Sequence, residues 1–151
     1  MQRCPTCGKE DHGPPRIEAP GQVPAISWSH GSGVVAAAHG PVGIGVDVEP
    51  RGSLLPDVDA RRAVLTAAEL RRLDVLADPR AAFFALWTAK EALVKVGSIA
   101  MDDFDRVDLG ALLEAPRTRW HGWHLTSWST SGAIGATASV AAMGGVVELS
   151  A

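Results

Sequence analysis

The stretch Val42–Pro50, VGIGVDVEP, decides how the rest of the chain is read. Its small and branched apolar residues predict a strand. Residues two apart on a strand share a face, so Asp47 and Glu49 converge. Upstream, from Gln22 to Val46, there is no Lys, Arg, Asp or Glu. Two carboxylates side by side raise each other's pKa unless a cation offsets them. The residues alone leave two readings open. Either this is an edge strand with its acids in solvent, or the pair offers two hard oxygen ligands for Mg²⁺, with room left for water and a phosphate.

Working outward, AISWS (25–29) and GVVAAAH (33–39) also read as strands, with Gly31–Gly33 and Gly40–Gly43 as turn punctuation, which predicts an antiparallel meander over 25–49. Beyond PRGSLLPDVD the period changes to that of a helix. DARRAVL is a short piece, and TAAELRRLDVL opens with Thr66 and Glu69 at capping-box spacing. DPRAAFFALWTAKEALVKVG carries Asp78 as N-cap, Pro79 at the first helical position and Gly97 just past the end. After it DFDRVDL, WHGWHLTSWS, AIGATASVAA and GVVEL read as strands between Pro, Ser and Gly turns. Strands, then helices, then strands predict an α+β domain with a largely antiparallel sheet packed against helices.

At 151 residues the chain is one domain in size, able to bury roughly 70% of the surface that its unfolded state exposes. A hydrophobic fraction of 46% and a charged fraction of 21% argue against wholesale disorder. The net charge of −3 provides neither a basic footprint for nucleic acid nor a polybasic patch for a membrane. Residues 1–24 form a Pro/Gly-rich lead without the apolar core of a signal peptide, and 25–151 form the domain. The expected location is the cytoplasm. Cys4 and Cys7 in CPTCG, with His12, have the spacing of a zinc knuckle but fall one ligand short of a structural site. A reduced, metal-free loop is the expectation, and a small zinc-dependent interaction module is the alternative.

Two further constellations could carry chemistry. On the longest helix Ala82, Leu86, Ala89, Leu93 and Val96 form a core stripe, while Thr88, Glu91 and Lys95 form a polar face flanked by Trp87. Glu91 and Lys95 could equally be a surface ion pair worth about 0.3–0.5 kcal/mol. In SWSHG (27–31), Ser29 and His30 could donate to a phosphate at a strand end; nothing nearby completes a triad around Ser29.

In order and spacing, SWSHG, GVDVEP and FFALWTAKEALVKVGSIA together resemble the 4'-phosphopantetheinyl transferase superfamily, most closely the type that activates peptide and polyketide synthetases. The lead CPTCGKEDHGPPR is similar to a segment that precedes the Ser-His motif in that type. The resemblance implies transfer of the phosphopantetheine arm of coenzyme A to a serine of an apo acyl or peptidyl carrier protein, with release of adenosine 3',5'-bisphosphate. It assigns Asp47, Glu49 and Glu91 to Mg²⁺, and Glu91 also to the role of general base. Lys95, with Lys90, would contact the diphosphate, and Ser29 and His30 the 3'-phosphate. Where the type has a basic residue after HG this chain has Pro14, with Arg16 as the nearby substitute; where it has a hydroxyl after Ser-His, this chain has Gly31. Relatives of this type have two similar half-domains, and the motifs here fall in the second. Three explanations compete: self-association into a homo-oligomer, a start codon placed too late, or a decayed homologue that binds coenzyme A or a carrier without transfer.

Overall fold

The best-punctuated segment in the sequence is also the organising element. The Asp78 carboxylate accepts from the Ala81 N–H at 2.9 Å, Pro79 opens the helix, and α3 runs Pro79–Lys95 before Gly97 takes a positive φ. A computed structural model of the chain describes residues 7–9, 13, 15–130 and 135–143. Its other elements are β1 (Ala25–Gly31), β2 (Val34–Gly40), β3 (Ile44–Pro50), α1 (Val58–Val64), α2 (Ala67–Leu73), β4 (Arg117–Trp120), β5 (Trp123–Ser129) and β6 (Ala136–Met143). Helices and antiparallel sheets are combined, as the α+β reading requires. The capping box at α2 is formed in full, with Thr66 Oγ1 accepting from the Glu69 N–H and the Glu69 carboxylate from the Thr66 N–H. GVVEL, Cys4 and His12 lie outside the described residues.

The meander expected over 25–49 is only half correct. β1 and β2 form an antiparallel hairpin, but β3 leaves it and pairs with β6 in a four-stranded sheet of order β3-β6-β5-β4. The reason is burial on both sides of β3. Gly45, Asp47 and Glu49 face α3, while Val48 faces the other way and packs with Ala136, Ala138 and the hairpin residues Val34 and Ala36. DFDRVDL is not a strand either. Met101–Arg106 forms a 3₁₀ helix, because the Asp103 carboxylate turns back to accept from the Ala100 N–H at 3.0 Å and Phe104 is buried beneath it.

The main core lies between α3 and its neighbours: Phe83, Leu86, Ala89 and Leu93 of α3 pack with Leu65, Leu73, Phe104, Leu109 and Leu125, all nearly or fully buried. Against the sheet, α3 comes so close to β3 that a Cβ on Gly45 would run into the Ala92 carbonyl and the Val96 side chain. Only a residue without a side chain fits there, and this close approach sets the strand's two acids opposite the polar side of the helix.

Candidate active site

The hairpin meets the sheet at the free edge of β3, and the join is made by side chains. Both backbone polar groups of Val46 point outward from β6, as those of a non-hydrogen-bonded antiparallel pair do. Its N–H donates to Ser27 Oγ at 3.0 Å, and its carbonyl accepts from Lys95 Nζ at 2.9 Å. The same ammonium donates to Asp47 Oδ1 at 2.8 Å and, more weakly at 3.4 Å, to the Trp28 carbonyl on β1. Asp47 Oδ1 also accepts from Ser29 Oγ at 2.7 Å. One carboxylate oxygen is therefore shared by a hydroxyl and an ammonium, at a seam where β1, β3 and the end of α3 converge.

Two more carboxylates face this pair. Burial, and then the negative charges of Asp47 and Glu49, hold the Glu91 carboxyl above its usual range, while Lys95 pulls it back. Glu49 is pushed up by burial and by Asp47, against hydrogen bonds from Ser53 and from the Trp87 indole. Among the described residues no group of three His, Cys, Asp or Glu side chains is already gathered around one point where a metal ion could sit. The three acids are within electrostatic reach of each other, and one lysine, paired with Asp47, lowers the pKa of the other two. As a donor set they fit a hard divalent cation: all the donors are oxygens, and their mutual repulsion is the kind that an added cation relieves.

The match to known families comes at this point of the chain. The family model of the 4'-phosphopantetheinyl transferase superfamily matches residues 43–137, most of the described chain from β3 into β6. The chain belongs to that superfamily. No curated protein matches it. Membership gives the superfamily member its general chemistry, transfer of phosphopantetheine, and the matched span holds Asp47, Glu49, Glu91 and Lys95.

Not every residue that the resemblance assigns lies at this seam. Lys90 is fully buried, its ammonium donating to Glu69 Oε2 at 2.7 Å and to the Val64 and Phe104 carbonyls at 2.8 Å each. It points to the back of α3, one position and roughly 100° round from Glu91, and away from the seam. Glu69 completes this knot by accepting from the Leu109 N–H through Oε1 at 2.8 Å. Thr88 also leaves the polar face: it is buried, donating to the Phe84 carbonyl and hydrogen-bonded to Ser139 Oγ, both at 2.8 Å.

Ser29 and His30 diverge. As neighbours on β1 their side chains take opposite faces, Ser29 towards Asp47 and His30 into solvent, so they do not meet on one phosphate. Arg16 is exposed on the lead, and so is Cys7. Gly31, where the type has a hydroxyl, is required by packing: a Cβ there would lie 2.7 Å from Pro50 Cδ. The sequence reading missed Ser27, a plain strand serine whose role depends on an edge that only the tertiary fold creates. It also missed Glu69 as the partner of Lys90, because the cap explained Glu69 fully. No helix among the described residues is long and apolar enough to cross a membrane.

Proposed function

We propose that the chain transfers 4'-phosphopantetheine from coenzyme A to the serine of an apo acyl or peptidyl carrier protein. The observation that carries this reading is the seam itself: Lys95 pairs with Asp47, and Glu49 and Glu91 lie within reach of both charges, inside the matched family span. Asp47, Glu49 and Glu91 would hold Mg²⁺, which when bound offsets the diphosphate's negative charge as it moves to the leaving group.

The residues of the chain supply the rest. Glu91 takes the proton of the carrier serine hydroxyl, directly or through one water; its raised pKa brings its basicity closer to neutral pH, where a base works best. The serine oxygen forms its bond to the phosphorus bearing the pantetheine arm as the bond to adenosine 3',5'-bisphosphate breaks, and Lys95 stabilises the charge on that leaving group. His30, exposed on the outer face of β1, and Arg16 are the candidates for the 3'-phosphate.

Incubation with coenzyme A, Mg²⁺ and several apo carrier proteins, followed by mass spectrometry of the carriers, tests the proposal. Addition of phosphopantetheine to at least one carrier is expected, and it should be lost in Glu91→Gln and Asp47→Ala chains that retain the native circular dichroism spectrum. No addition to any carrier at high enzyme concentration, with coenzyme A binding seen by calorimetry, would identify a binding protein and overturn the reading.

A further inference from the structure

Lys95 is placed oddly for a residue whose proposed partner is a diphosphate. All three directions of its ammonium are already taken up by the protein, by Val46 O, Asp47 Oδ1 and Trp28 O. Its side chain keeps only 28% of its exposure and that of Asp47 only 10%. The oxygen it holds is the one that Ser29 also holds, so that Asp47 atom carries two protein donors and no place for a third. Meanwhile no three acids are gathered on a point. The chain itself thus supplies a positive charge to Asp47, with Glu49 and Glu91 close enough to feel it.

We infer that Lys95 is an internal counter-cation that occupies the metal position's electrostatic role in the metal-free chain and must leave Asp47 Oδ1 when a divalent cation binds. This rests on the reading of Asp47, Glu49 and Glu91 as metal ligands. Two like cations cannot share one carboxylate oxygen in a half-buried seam without strong repulsion, so a metal ion that takes Asp47 Oδ1 displaces Lys95 from it. The released ammonium is then free at the mouth of the seam, where the diphosphate is proposed to lie. The same release also removes a tie between β1 and β3, because Lys95 bridges Trp28 O and Val46 O. Loading the site, freeing a lysine for phosphate and loosening the hairpin become a single event.

The inference is tested on metal affinity, measured without coenzyme A or carrier. Mg²⁺ is titrated by calorimetry into the wild-type chain, Lys95→Met, Lys95→Gln and the control Arg51→Met. Arg51 is an exposed cation next to Pro50 with no ion pair to Asp47 or Glu49, so it reports the general effect of removing a charge nearby. Lys95→Gln retains a donor for Val46 O in case the methionine variant folds poorly. Both Lys95 variants should bind Mg²⁺ about tenfold more tightly than wild type or better, against at most about twofold for Arg51→Met. Their melting temperatures should be lower than wild type without metal and rise further when it is added. Affinity unchanged or weakened in both Lys95 variants overturns the exchange, as does an equal gain in Arg51→Met. If Mg²⁺ binds none of the four chains, the metal assignment itself fails and the exchange falls with it; turnover with carriers alongside unchanged Lys95-variant affinity would remove the exchange alone.

Discussion

Helix α3 carries two lysines five residues apart, and each makes a short ion pair with a carboxylate, 2.7 Å for Lys90–Glu69 and 2.8 Å for Lys95–Asp47. The pairs are nevertheless opposite in kind. Lys90 and Glu69 are fully buried, one positive charge against one negative, with the other two ammonium hydrogens and both carboxylate oxygens hydrogen-bonded to backbone. Lys95 faces three acids, two of them with raised pKa, at a seam partly open to water. The first pair is balanced and closed; the second is short of positive charge and open. A balanced pair fixes the structure, whereas an unbalanced one leaves a demand that only something from outside can meet. Geometry of the individual bond does not tell them apart, and the surrounding charge does.

The sharpest way to break this comparison is to remove each lysine in turn. Lys90→Met leaves the Glu69 charge sealed in the core and should destabilise the chain by about 3–5 kcal/mol. Lys95→Met, at a seam partly open to water, should lose less, about 1–2 kcal/mol. Chemical denaturation of both variants measures the difference, and equal losses would erase the distinction. Adding Glu69→Gln to Lys90→Met should recover part of the loss, because no uncompensated charge then remains buried.

Next in size is the contact that sets the two sides of the seam against each other. Gly45→Ala pushes a methyl against the Ala92 carbonyl. A loss of about 1–3 kcal/mol is expected, with Mg²⁺ affinity reduced as well, since the acids of β3 and α3 are forced apart. Unchanged affinity would mean that the close approach serves packing alone.

The smallest effects have the opposite sign. Where acids repel, neutralising one should help the fold: Glu91→Gln or Glu49→Gln should stabilise the metal-free chain by about 1 kcal/mol while removing activity. The pH dependence follows from the same shifts. A carboxyl with a raised folded-state pKa binds its proton more tightly folded than unfolded. The stability it contributes is therefore present below its usual value of 4.5 and is lost as pH rises from there through the raised value. Thermal melts across that window should show the decline in wild type, less of it in Glu91→Gln, and flattening when Mg²⁺ is added. A decline that persists unchanged in Glu91→Gln would assign it to other groups.

Much of this was legible in the residues. Asp78, Pro79 and Gly97 bracket α3 closely, since caps are local chemistry. The shared face of Asp47 and Glu49 follows from strand period alone. What the residues did not carry was direction in three dimensions. Lys90 and Lys95 look alike in KEALVK, and only the packing of α1, α2 and the 101–106 segment behind the helix makes the first a core residue. Thr88 left the polar face because a serine from β6, fifty-one positions away, meets it. DFDRVDL had the composition of a strand edge but used an acid to cap a turn. Ser29 and His30 adjoin in the motif, and strand geometry turns their side chains to opposite faces.

The edge of β3 has one more consequence. A sheet ordinarily ends in a row of bare amides and carbonyls that invite another strand to add on. At Val46 that invitation is withdrawn twice, by a serine hydroxyl on the amide and a lysine ammonium on the carbonyl. Growth of the sheet from this side, whether by a neighbouring molecule or by an aggregating segment, would first have to strip away both groups. Ser27 and Lys95 thus also act as a stopper, occupying the backbone groups through which another strand would join.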